Sequence, residues 1–227
     1  MLNRRQIGLG LILALAMGAP SAAQTPPSPS ELSAYEGLHL AAHRGDASEI
    51  KRLIMAGSNP NGRDGNGRTP LHVATFARQH EAMRALAAGK ADPKALDSQS
   101  YDCITIAAVA DDLATMKVAI AIGGDARAIT SPYQGTALIA AAHLGHEEVV
   151  RDLIAAGAPL DHVNNLGWTA LIEAVILGNG GRRHVDTTRY LVKAGARRDL
   201  ADRQGLTPLD HARSRGYREI ESVLNGG

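Results

Sequence analysis

Six openings of similar sequence recur along the chain, and their spacing limits the fold more than any other feature. Taken at Glu36, Thr69, Asp102, Thr136, Thr169 and Thr207, they lie 33, 33, 34, 33 and 38 residues apart. A period of this length marks an array of supersecondary units, each able to bury its apolar face only against the next. The clearest copy occupies residues 135–161. Thr136 offers a hydroxyl to cap free backbone N–H groups, and Ala137-Leu138 begin a helix. Ala141 and Ala142 let a second helix approach closely, and Gly145 ends the first. His146-Glu147-Glu148 then place acidic side chains near the positive end of another helix dipole. Val149, Val150, Leu153 and Ile154 follow at a helical period, and Gly157 stops the run.

Thr69-Pro70-Leu71-His72 and Thr207-Pro208-Leu209, each followed by a small residue at Ala74 or Ala212, resemble the TPLHxAA signature of ankyrin repeats. Ala56-Gly57 and Ala156-Gly157-Ala158 resemble the stop that closes each repeat of that family. The resemblance runs over roughly residues 35–225. It implies an all-α ankyrin-repeat solenoid of about six helix–turn–helix units joined by short β-turn loops, filling residues 35–227. Aromatic residues are only 3% of the chain, which suits thin, closely stacked helices better than a globule built around large rings.

The units are not equally faithful. The first is rich in charge (Arg44, Glu49, Lys51, Arg52), as is the last (Arg213, Arg215, Arg218, Glu219), which suits terminal caps. In the second, Lys90 stands where the helix-ending Gly belongs and Gly89 comes one place early, so a shifted C-cap is expected. In the third, Asp102-Cys103-Ile104-Thr105 replaces TPLH and Asp111 replaces the inter-helix Gly, yet both Asp residues retain capping ability. The fifth carries five extra residues, 179–183, which account for the 38-residue interval. Such an insertion is expected as a surface loop, either merely tolerated or able to meet an acidic group through its arginines.

Residues 1–23 differ from the rest. Asn3-Arg4-Arg5 precede an apolar run, and Ser21-Ala22-Ala23 supply a small-residue cleavage pattern. This predicts an export signal cut after Ala23 and a periplasmic destination, by either the general or the twin-arginine route. The apolar run is shorter than the ~20 residues a spanning helix needs. Gln24 and the Pro/Ser-rich residues to position 34 predict an extended linker or a disordered mature N-terminus. Without the two leader arginines, 24 − 2 = 22 basic residues face 23 acidic ones, so no basic face argues for nucleic acid. Cys103 is the only cysteine and cannot form an intrachain disulfide; a packed, inert thiol is expected.

Chemistry is sparsely represented. His39 and His43 share a helix face at i, i+4, but no HExxH-type Glu and no third ligand accompany them, so a metal-dependent enzyme is the weakest of the functional readings. The resemblance instead assigns His39 and His72 to hydrogen bonds between repeats, with His146 as a structural residue of the inter-helix turn. No nucleophile elbow or thiol-protease signature occurs, and no cofactor is expected.

Partner binding remains. In the family, partners meet the concave side, formed by the residue before each motif and two positions late in each first helix. Carried onto this chain, those positions nominate Arg68, Tyr101 and Trp168 in the loops and Phe76, Leu144, Ile176 and Leu177 on the helices, with Tyr133 beside them. The expected function is non-catalytic binding of another protein, such as a periplasmic oxidative-stress enzyme, by a monomer. An immunity protein that inhibits a secreted toxin is the alternative.

Overall fold

The computed structural model describes residues 24–226; the export-signal reading lies outside the described residues. Among the described residues it contains thirteen α-helices and a single isolated bridge, Thr130 to Gly135. After a short α1 (Pro29–Ala34), the helices pair as α2 (Gly37–Arg44) with α3 (Ala47–Met55), α4 (Pro70–Phe76) with α5 (His80–Ala88), and α6 (Cys103–Val109) with α7 (Leu113–Ala121). The pairs α8 (Ala137–Leu144) with α9 (Glu147–Ala155), α10 (Ala170–Ile176) with α11 (Arg182–Lys193), and α12 (Pro208–Arg215) with α13 (Arg218–Leu224) complete six units. First helices stack on first helices and second on second, giving two layers. No described helix is long and apolar enough to cross a membrane.

The openings act as the sequence predicts. The side chains of Thr69, Asp102, Thr136, Thr169 and Thr207 each accept a hydrogen bond from the backbone N–H three residues on. Glu36 makes no such bond, so only the first unit starts uncapped. Behind the caps, Leu38, Leu71, Ile104, Leu138 and Leu171 are buried at one phase, and Ala41, Ala74, Ala107, Ala141 and Ala174 at another. The alanines set the close spacing; the larger side chains fill the gap between layers. The charged ends behave as caps: α3 buries only Ile50, and α12 only Pro208 and Ala212.

Two details correct the sequence reading of the turns. The C-cap in the second unit is not shifted. Lys90 itself takes the left-handed conformation (φ 68°) that Gly57 takes in the first unit, and α5 keeps the nine residues of α3, α7 and α9. Gly89 serves packing instead, since a Cβ there would lie 2.3 Å from Ile54 Cδ1. The five-residue insertion is not simply a loop. Arg182 and Arg183 belong to α11, which reaches twelve residues, three more than the second helices of the four preceding units. Arg183 Nη2 sits 2.7 Å from Asp111 Oδ2 and Arg183 Nε 2.7 Å from Glu147 Oε2, so this cation staples three successive units rather than facing solvent unpaired. Asp111 fills the inter-helix Gly position at φ 53°.

Cys103 is packed inside, and burial pushes its thiol up to about 12. Because the thiolate is the reactive form, folded protein is expected to stay silent to a disulfide-exchange reagent at pH 8. The full equivalent should appear when denaturant is added; rapid labelling without denaturant would contradict this packing.

Candidate protein-binding face

Two ladders of side-chain bonds hold the units in register. In the first, the motif histidines reach forward. His39 donates from Nε2 to the Arg68 carbonyl, and His72 from Nε2 to the Tyr101 carbonyl, each at 3.1 Å. His72 Nδ1 accepts from the Thr69 amide, which fixes the tautomer, and burial lowers its pKa so that it stays neutral. In the second ladder, a residue at the start of the second helix reaches back in the fourth, fifth and sixth units. His146 donates to the Ala108 carbonyl (2.8 Å), His184 to that of His143 (3.0 Å) and Tyr217 to that of Gly178 (3.1 Å). His39, His72 and His146 are thus in the structural roles the sequence assigned. Among the described residues no cluster of three or more His, Cys, Asp or Glu side chains is placed to hold a metal ion.

The loops before each motif are built around one side-chain oxygen. Oδ1 of Asp64, Asp97, Asn164 and Asp202 each accepts two backbone N–H bonds, closing the turn. Ser131 Oγ does this in the fourth unit, whose loop is one residue longer. In the last two units the first helix secures the loop as well. Asn164 Nδ2 donates to Glu173 Oε1 (2.7 Å), and His211 Nε2 donates to Asp202 Oδ2 (2.7 Å), the same nine-residue link with donor and acceptor exchanged. Glu173 is buried, and His143 Nδ1 lies 3.4 Å from its other oxygen.

The N-terminal segment changes the face more than any loop. Within residues 24–34, read from composition as an extended or disordered linker, Pro29–Ala34 are helical while residues 24–28 carry no regular secondary structure. Ser28 and Glu31 make a reciprocal capping box with Pro29 in the first turn, and α1 follows. Arg68, only 1% exposed, clamps this segment to the array. Its guanidinium pairs with Asp64 at 2.7 Å and with Glu31, and donates to the Thr25 carbonyl at 3.2 Å. Tyr35 closes the cluster with a 2.6 Å bond from its hydroxyl to Asp64. Further along, Gln24 and Pro26 border a cleft of about 250 Å³ whose floor includes Phe76, Ile106 and Val109. Residues 24–26 therefore lie over the face of α4 and α6.

The sequence profile described as ankyrin repeats (3 copies) matches residues 38–118 and 104–181. This chain is an ankyrin-repeat protein. It is 31% identical over 189 residues to the ankyrin repeat protein YahD of Escherichia coli strain K12, covering 82% of this chain and 92% of that one. An ankyrin repeat domain from Acinetobacter baumannii AYE superposes with a TM-score of 0.78 at 45% identity, covering 83% of this chain and 95% of the other. The fold is shared with a structure of a predatory endopeptidase from Bdellovibrio bacteriovorus in complex with an immunity protein (TM-score 0.69, 23% identity, 84% of this chain and 97% of that one).

Ankyrin repeats are protein-interaction modules, so the exposure of the nominated residues matters. Two expectations fail. Arg68 is saturated by its carboxylates, and Tyr101 is only 6% exposed, so neither offers the free surface expected of it. Phe76 and Tyr133 are half-buried; Phe76 lines the cleft at Gln24, and the Tyr133 carbonyl accepts from the Asn165 amide of the next loop. The other four lie on the fourth and fifth units. Leu144 is 40% and Leu177 39% exposed, while Ile176, next to Leu177, and Trp168, ahead of α10, are half-buried. Leu144 ends α8 and Ile176 ends α10, neighbouring helices of one layer, so the structure brings Leu144, Ile176 and Leu177 to one end of that layer, while Trp168 precedes the other end of α10. Leu166, in the Trp168 loop, and Leu206, at the Trp168 phase of the last unit, are also exposed. Leu166 was missed because the family positions single out only the residue next to the motif.

Proposed function

We propose that this ankyrin-repeat protein acts in the periplasm and binds a partner protein, without catalysis, through the face formed by Leu144, Trp168, Ile176 and Leu177. The observation that carries this reading is the asymmetry of the face. Residues 24–31 of the same chain lie against its first half at Arg68 and beside Phe76, while its second half leaves two leucines about 40% exposed at equivalent phases of adjacent units. Aromatic and aliphatic anchors inside a polar rim concentrate binding energy. Here the rim includes His143 and Arg215, whose guanidinium donates to the Ile176 carbonyl. A scaffold held by two hydrogen-bond ladders also limits the ordering cost of association. The export pattern of residues 1–23 supports the compartment, and a periplasmic enzyme such as an oxidative-stress enzyme is the partner class we favour.

The test compares wild type with a Trp168→Ala/Leu177→Ala protein in crosslinking and co-purification from periplasmic extract, after helicity and melting are shown to match. Loss of about 2 kcal/mol or more is expected from removing two anchors, so recovery should fall at least tenfold. Equal recovery by both proteins moves the site off this face. The immunity reading predicts a different result from the same captured complex, namely one-to-one inhibition of a toxic activity.

A further inference from the structure

Gln24 combines two features that one reaction would remove. Its side-chain Nε2 is buried and has no hydrogen-bond partner. It also immediately follows Ala23, so cutting the export signal there would put a free α-amine on this same residue. The residue borders the cleft floored by Phe76, Ile106 and Val109, an apolar place for an ammonium and an unpaired amide together. The polar groups at its edge are committed elsewhere. Asp112 pairs with Arg78 at 3.0 Å, accepts from the Thr115 hydroxyl and caps α7 through the Thr115 amide.

We propose that Gln24 becomes a pyroglutamyl lactam once the export segment is removed, and that this neutral ring seats the segment in the groove over α4 and α6. The proposal rests on the export reading above. The neutral α-amine attacks the side-chain carbonyl carbon, a bond forms from the α-nitrogen to Cδ, and the Cδ–Nε2 bond breaks. Nε2 leaves as ammonia, carrying the proton released by the amine. No oxidant, reductant or co-reactant is consumed. The product lacks both the positive charge and the unpaired NH₂, and keeps one N–H and one carbonyl. With the ring in the groove at one end and Arg68 holding Glu31 and the Thr25 carbonyl next to the ring, the segment is fixed twice.

The full precursor would be exported with its own leader in a Gram-negative host, and the N-terminal tryptic peptide, residues 24–44, weighed. The expected mass is one ammonia below that of the Gln24 peptide, with the block removed by pyroglutamyl aminopeptidase. A synthetic Gln24 peptide carried through the same digestion measures cyclisation during handling; lactam only at that level overturns the proposal. A free amine on Gln24 also overturns it while leaving the export reading intact, whereas a different first residue overturns both. For the seating, Gln24→Ser keeps a free amine, and its residues 24–35 are expected to lose hydrogen-exchange protection relative to the lactam form. Equal protection would overturn that half of the proposal.

Discussion

Replacing Arg68 by Met is expected to lower stability by about 3 kcal/mol and to release the first unit before the others. Met keeps much of the buried stem but removes the charge, leaving the nearly enclosed Asp64 carboxylate without its cation. Breaking a buried pair from one side costs about 3–5 kcal/mol, and the lower end applies because Glu31 remains a third exposed. The first unit meets the array on one side only, so the loss should appear locally. Hydrogen exchange in α1, α2 and α3 should quicken sharply while α8 to α11 hold. Unchanged exchange in α1 would show that the segment is held by something other than Arg68.

Acid probes the same clamp in the wild type. The Ser28 backbone amide, its hydroxyl and the Arg68 guanidinium together hold the Glu31 carboxyl at about 2, below its ordinary 4.5. A carboxyl depressed on folding contributes stability above its unfolded value and loses it as pH falls through the folded one. Protection of α1 should therefore survive at pH 5 and be lost on the approach to pH 2.

What the sequence made legible was what repeats. Thr69, Thr136, Thr169 and Thr207 cap as read because a cap is local, needing only a hydroxyl and the next three residues. The array followed from phase, and even Asp111, which breaks the pattern, takes the left-handed turn of the glycine it replaces. The failures lie where one unit meets something unlike its neighbours. Nothing in the period links Arg68 to Glu31, 37 residues earlier, so a buried clamp looked like a free basic side chain. The segment before it did carry a local signal. Ser28-Pro29-Ser30-Glu31 is a capping box with proline in the first turn, outweighed in the reading by the surrounding Pro/Ser composition. Tyr101 shares its phase with Trp168, yet one is buried and the other half-exposed, because exposure depends on neighbouring loops rather than on phase.

Gly178 makes the same distinction between phase and surroundings, and Gly178→Ala should be among the most damaging single-methyl changes in the chain. The residue falls where a glycine ends a first helix, which suggests a need for left-handed backbone. The structure gives a different reason. Positive φ occurs at Gly180 in this turn, whereas Gly178 is tight because a Cβ there would lie 2.1 Å from the Ala174 carbonyl oxygen and 2.6 Å from the His184 ring. Neither neighbour can retreat cheaply. The carbonyl belongs to α10, and His184 is held by Asn179 and by the His143 carbonyl. Overpacking of this kind costs about 1–3 kcal/mol, and the upper end is expected because the overlap includes backbone. Moving Gly178 also disturbs the carbonyl that accepts the Tyr217 hydroxyl, so the fourth, fifth and sixth units should loosen together. Gly195→Ala supplies the contrast: φ there is 96°, but nothing lies within 4 Å of the added carbon. Its cost is conformational alone, about 1 kcal/mol. Urea unfolding of the two proteins should place Gly178→Ala well below Gly195→Ala, and the reverse order would mean that backbone conformation, not close approach, selects glycine at this turn.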